Sequence, residues 1–188
     1  ITQLFGFLSK LDSIEGDVGE IIKFVSQKID DEHDGKSLGI DLEDDASGKL
    51  VFNLGTISLD ENRCELGINI RYPVTFTEED VFGKLEETLK PYSIKIVDVE
   101  HQKPLFVPED NFLVKKLQQV YKEVTGEDPY LIAIGGGTYA RSIENAVAFG
   151  PLFPGQEELA HQKDEHISID DLMKNAKIYT MAMYELAR

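Results

Sequence analysis

Cysteine occurs once in the 188 residues, which excludes an internal disulfide. Cys64 falls in the alternating run Arg63-Cys64-Glu65-Leu66-Gly67-Ile68, where it reads as a small core side chain rather than a nucleophile. Positive charge is scarce. Nineteen Lys and Arg against 35 Asp and Glu leave a net charge of −16. That balance excludes nucleic acid as a natural partner, because phosphate binding needs clustered Lys and Arg. Most of the carboxylates read as solvated helix faces. Long apolar runs are missing, as is any segment with the form of a signal peptide, so no membrane partner is expected. With the lone cysteine, these absences predict a cytoplasmic protein. No internal repeat or low-complexity tract stands out. There are four histidines, and only His161 and His166 lie near each other.

What is present is a soluble protein's composition, 41% hydrophobic and 29% charged, in a length that suits one domain or two small ones. The chain opens at Ile1 inside a helical pattern, as expected of a piece of a longer protein. Residues 1–34 read as helix from the spacing of Leu4, Leu8 and Leu11 and then Ile21, Phe24, Val25 and Ile29, with a break at Gly16 and Gly19. The cluster Asp30 to Gly35 lacks calcium-loop spacing and reads as a solvated helix end, with His33 at the surface. Lys49–Ser58 and Arg63–Tyr72 alternate and form a hairpin about Leu59–Asn62. Thr77-Glu78-Glu79-Asp80 is a capping box that opens a helix through Leu89, ended by Pro91. Ser93–Glu100 alternates again and predicts a third strand, ending at a surface His101. The prolines of 102–108 mark a linker. Beyond it come a helix over Asn111–Thr125 with Gly126 as its terminator, strands at Leu131–Ile134 and Ala146–Phe149, and a Ser168-capped helix to Ala187. In that last helix Ile169, Leu172, Met173, Ala176, Tyr179, Met183 and Leu186 form one stripe, and the three methionines read as core filling. The fold class expected is an α+β portion (hairpin, helix, strand) followed by an α/β portion.

Three features are able to carry chemistry. His161 follows Gly150-Pro151 and Pro154-Gly155 in a polar loop and precedes Asp164-Glu165, so it is either a metal ligand or a loop histidine. Gly135-Gly136-Gly137-Thr138 is either an anion-binding nest with a hydroxyl donor or a tight turn that permits strand packing. It is neither a Walker loop nor a GxGxxG fingerprint, because both spacings are wrong. Arg71 ends a strand on the face opposite the apolar one, where a guanidinium either clamps a carboxylate or makes an exposed salt bridge. Arg141 allows either job or a cap, and Glu157 and Glu158 read as solvated loop charges.

The order of three segments resembles the C-terminal part of the zinc-dependent exopeptidases that include the bacterial Xaa-His (β-alanyl) dipeptidases, the carboxypeptidase G type and the aminoacylases. The match to the dipeptidase branch is close. The segments are Ile68-Asn69-Ile70-Arg71-Tyr72-Pro73, Gly136-Gly137-Thr138-Tyr139-Ala140-Arg141, and Gly150-Pro151 through Phe153-Pro154-Gly155 to Ala160-His161-Gln162-Lys163-Asp164-Glu165. The resemblance implies a two-domain enzyme whose zinc-binding α/β catalytic domain is interrupted by an α+β lid. Residues 1–103 would be the latter part of the lid, and 104–188 the return into the catalytic domain. It implies His161 as a ligand to one of two Zn2+ ions, Arg71 as the group that binds a substrate's C-terminal carboxylate, and Gly136, Gly137 and Thr138 as pocket lining.

The family's remaining zinc ligands, its general-base glutamate and its lid histidine have no counterpart here. No catalytic residue is therefore assigned, and these residues are expected to be inactive alone. The parent is expected to be a monomeric metallodipeptidase acting on short peptides. An aminoacylase or succinyl-diaminopimelate desuccinylase of the same clan, or a non-catalytic anion-binding module, are the competing readings.

Overall fold

The computed structural model describes residues 1–11 and 13–188 of the chain. It is mixed α/β and groups into two compact units. The first comprises Ile1–Pro104 with Ala133–Gly135, and the second Leu105–Ile132 with Gly136–Arg188.

In the first unit the helical stretch expected over 1–34, with its break at Gly16 and Gly19, is two helices, α1 (Thr2–Leu8) and α2 (Gly16–Lys28). Gly16 has φ +71°, a left-handed conformation that favours glycine. Gly19 sits so close to the Ile14 carbonyl that a Cβ there would lie 2.7 Å from its oxygen. The two glycines thus turn the chain and let α2 approach the segment before it. Helix α2 buries Ile22, Phe24 and Val25 and stops at Lys28, so the acidic cluster lies just past its end. A short hairpin follows, β1 (Glu43–Asp44) with β2 (Gly48–Lys49).

The main ribbon is β3 (Val51–Leu59) antiparallel to β4 (Cys64–Arg71). Its register pairs Phe52 with Ile70 and Leu54 with Ile68, then slips by one residue between Leu54 and Thr56 before Ile57 pairs with Leu66. Gly55 is the extra residue of this bulge. The slip resets the side-chain alternation. Phe52 and Leu54 are buried and Ile57 packs on the same core, although 54 and 57 differ by an odd number. Asn53, Asn69 and Arg71 point the other way and are exposed.

Helix α3 (Glu78–Leu89) begins with the capping box predicted from Thr77 and Asp80 and adds Val81, Leu85 and Leu89 to the core. Segment 93–100 is not a strand. Ile94 and Ile96 pack against the core, but Val97 and Val99 are exposed and no neighbouring strand is hydrogen-bonded to it. Alternation records which side chains are buried; a strand also needs a ladder partner.

The second unit holds two long helices, α4 (Phe112–Thr125) and α5 (Ile169–Ala187). Asn111 and Ser168 cap their first turns through Leu113 N and Asp171 N, and Gly126 ends α4 at φ +77°. They pack through Leu117, Val120, Ile178 and Ala182, and Lys116 pairs with Glu185 at 3.3 Å.

The expectation of an α/β portion here is corrected. Among the described residues this unit contains no strand. Leu131, Ile132 and Ile134 are exposed, while Val147 and Phe149 pack on the helices as extended chain. The stripe read on α5 is also corrected. The buried face is Asn175, Ile178 and Ala182, whereas Leu172, Met173 and Met183 are exposed. Helix α5 is apolar on more than one side, and within its unit only one side meets α4.

Candidate functional site

Arg71 is the last residue of β4, and the alternation of the ribbon directs its side chain away from the core. Its Nε–H donates to Asn69 Oδ1 at 3.3 Å, two residues back on the same face, and its Nη1 donates to the Gly135 carbonyl of the same unit. Among the described residues it enters no ion pair. The ordinary alternative, an exposed salt bridge, is therefore not what this arginine does here. A guanidinium has five donors, and the two bonds it makes leave others for a planar acceptor such as a carboxylate.

The chain leaving β4 is fastened on two sides. Asp44, in the β1–β2 hairpin, accepts from the backbone N–H and hydroxyl of Ser47 and of Thr75, at 2.5 to 3.0 Å. Burial pushes this carboxyl up, but the four hydrogen bonds outweigh it and lower its pKa to about 2. On the other side Tyr72 packs its ring on the core and places its hydroxyl 2.7 Å from His101 Nε2. His101 Nδ1 lies 2.8 Å from the carboxylate of Glu78, the first residue of α3. A carboxylate only accepts, so Nδ1 carries a proton and Nε2 is the nitrogen that pairs with the Tyr72 hydroxyl. Burial first, and the Glu78 charge second, push the Tyr72 phenol above its ordinary value, which keeps it a donor.

His101 is exposed, as expected from the sequence, but sequence reasoning missed this chain of three groups. Its members sit at 72, 78 and 101, and no local spacing links them. The only available hint was Tyr72 continuing the inward parity of Ile70.

In the second unit, Thr138 opens a short 3-10 turn, Tyr139–Ser142, without a side-chain cap bond. None of Gly135, Gly136 and Gly137 has positive φ. The αR–αL form of an anion nest has a residue of left-handed conformation, which none of the three supplies. A Cβ at Gly136 would meet nothing within 4 Å, whereas one at Gly137 would lie 2.9 Å from Arg141 Nη1. The Arg141 side chain lies across Gly137, and its flexible guanidinium end could shift aside for a Cβ there.

His161 sits in the polar loop with φ +63°, its side chain exposed. Its backbone N–H donates to Glu165 Oε2 at 3.2 Å, so Glu165 braces the loop. His166 Nδ1 lies 2.8 Å from the Asp164 carbonyl. A catalytic zinc takes about three protein ligands. Among the described residues, no group of three or more His, Cys, Asp or Glu is placed to hold a metal ion. The residues of this chain therefore do not by themselves fit a zinc centre, and no chemical step is derived through one. Among the described residues no helix is long and apolar enough to cross a membrane.

Residues 13–185 match the family model described as peptidase family M20/M25/M40. The chain is 47% identical over 168 residues to "Putative dipeptidase YtjP" of Bacillus subtilis (strain 168), covering 89% of this chain and 36% of that protein. It is 34% identical over 186 residues to "Putative dipeptidase SH1171" of Staphylococcus haemolyticus (strain JCSC1435), covering 97% of this chain and 39% of that protein. The chain thus spans well under half the length of these curated relatives. Because the family model matches nearly the whole of these 188 residues, the chain belongs to peptidase family M20/M25/M40.

Proposed function

We propose that this chain is the carboxylate-gripping part of a zinc-dependent dipeptidase that hydrolyses short peptides with a free C-terminus. Arg71 binds that carboxylate through the donors that Asn69 and Gly135 leave over. Gly136, Gly137 and Thr138 line the pocket. The observation that carries the reading is the Arg71 guanidinium, exposed, oriented by Asn69 and in no ion pair among the described residues. An internal peptide has no carboxylate there, so such a clamp selects exopeptidase substrates. The names of the two relatives favour a dipeptidase over an aminoacylase or desuccinylase.

On this reading residues 1–103 are the latter part of a lid and 104–188 belong to the catalytic domain of a monomeric, cytoplasmic enzyme. His161 supplies one ligand to one of two Zn2+ ions. The exposure of its imidazole supports that role, and the other ligands and the general base come from outside these residues. The 188 residues alone then hydrolyse no dipeptide.

The test uses the intact enzyme. Arg71→Ala should raise KM for free dipeptides by roughly one to two orders of magnitude, the worth of a charge-assisted bidentate pair. It should leave C-terminal amides unaffected, and equal losses on both substrates would refute the clamp. His161→Ala should lower bound metal per molecule by elemental analysis; unaltered metal content would remove His161 from the ligand set.

A further inference from the structure

We propose that Tyr72, His101 and Glu78 are positioning residues that set the direction of the Arg71 guanidinium, a role that rests on the carboxylate-binding reading of Arg71. Arg71 ends β4 and is exposed, while Tyr72, which Pro73 biases to extended backbone, packs on the core. The two share one peptide unit and their side chains leave on opposite faces. Whatever fixes the Tyr72 side chain fixes the twist of that unit, and with it the line along which the Arg71 side chain departs.

Tyr72 is fixed at both ends. Its ring packs on the core, and its hydroxyl bonds His101 Nε2 at 2.7 Å. The two rings are 6.0 Å apart and within 10° of parallel. His101 is held from its other side, where its Nδ1 is 2.8 Å from Glu78 Oε2. Glu78 in turn stands at the start of α3, where the helix end favours a negative charge and the capping box holds the first turn. On the outer face Asn69 Oδ1 takes the Arg71 Nε–H.

The arrangement therefore joins a rigid helix start to the end of β4 through an imidazole and a phenol. Both are side chains with only two torsions. An arginine aimed in this way loses less rotamer freedom on meeting a carboxylate, and that appears in binding rather than in turnover. A purely structural role for the three groups would lower stability but would not discriminate between a free acid and its amide.

The experiment compares Tyr72→Phe, His101→Ala and His101→Gln in the intact enzyme, on a dipeptide and on its C-terminal amide. KM for the free acid should rise about three- to tenfold in Tyr72→Phe and His101→Ala, with kcat within about twofold, and amide kinetics should not change. His101→Gln, whose amide can still meet the Tyr72 hydroxyl, should recover part of the loss. In an Arg71→Ala background, Tyr72→Phe should add nothing. Glu78→Gln, at a half-buried helix start, carries the same test should Tyr72→Phe fail to fold.

Acid and amide KM values that move together, or an undiminished Tyr72→Phe effect without Arg71, would overturn the proposal. If Arg71→Ala itself leaves acid-over-amide preference intact, the clamp reading fails. The positioning claim is then decided by the NMR order of the Arg71 Nε–H. That order should drop in Tyr72→Phe, and equal order in wild type and variant would overturn the claim.

Discussion

Asp44 shows how much one side chain can hold. Its carboxylate gathers two backbone N–H groups and two hydroxyls from Ser47 and Thr75, tying the β1–β2 hairpin to the loop that follows Tyr72. Replacing it with Ala leaves those donors without their acceptor and should destabilise the protein by about 1–3 kcal/mol at pH 7, read as a shift in the urea midpoint. The pH dependence has a definite sign. The folded pKa, about 2, lies below the ordinary aspartate value of 3.8. The contribution is therefore present in full above the unfolded pKa and lost as pH falls through the folded one. The gap between wild type and Asp44→Ala should narrow from about pH 4 toward pH 2; a gap that stays constant over that range would show that the carboxylate's charge is not what holds the loop. Neither Asp44 nor the Tyr72–His101–Glu78 chain was legible in the sequence. Each joins residues tens of positions apart, and pairing of that kind follows from tertiary packing.

At the scale of elements, the local signals were the most readable. The capping box at Thr77, the Asn111 and Ser168 caps, the Gly126 terminator and the β3–β4 hairpin all depend on neighbours within a few residues. Thr77→Ala should cost about 1 kcal/mol of stability and Thr77→Ser much less, because serine keeps the oxygen that accepts from Asp80 N. Equal losses in the two variants, measured by thermal denaturation, would show that the methyl rather than the cap matters. The strands read at 93–100, 131–134 and 146–149 were not there, because an apolar or alternating run states a preference for burial and cannot supply the neighbour that completes a ladder. The stripe on α5 misled for a related reason. Its apolar residues cover several sides, and packing chose Asn175, Ile178 and Ala182. Asn175 is the instructive case. It is buried and polar because its side-chain amide donates to the Pro151 carbonyl at 2.8 Å, and Tyr179 does the same for Phe149 at 3.0 Å.

For the whole molecule, charge and apolar exposure act against each other. Large side chains such as Ile132, Tyr139 and Ile169 are more than two-thirds exposed, and apolar surface of this kind favours association. The net charge of −16 at pH 7 opposes that by mutual repulsion. The balance should fail where the charge vanishes. Solubility of the chain, followed by light scattering, should pass through a minimum near the isoelectric pH of 4.6 and recover on either side; a minimum displaced by more than about one pH unit would mean that net charge is not the controlling quantity. The bulge in β3 has a consequence of another kind. It splits the strand into two stretches of opposite parity, so that even positions face inward before Gly55 and odd positions after it. Removing that one residue would leave every pair from Val51–Arg71 to Leu59–Cys64 in place on a regular ladder. Removing one residue within β4 instead would send part of that strand to the wrong side. The chain can lose a residue at Gly55 without Arg71 changing face, and Gly55 is the position at which the length of the ribbon is free to drift.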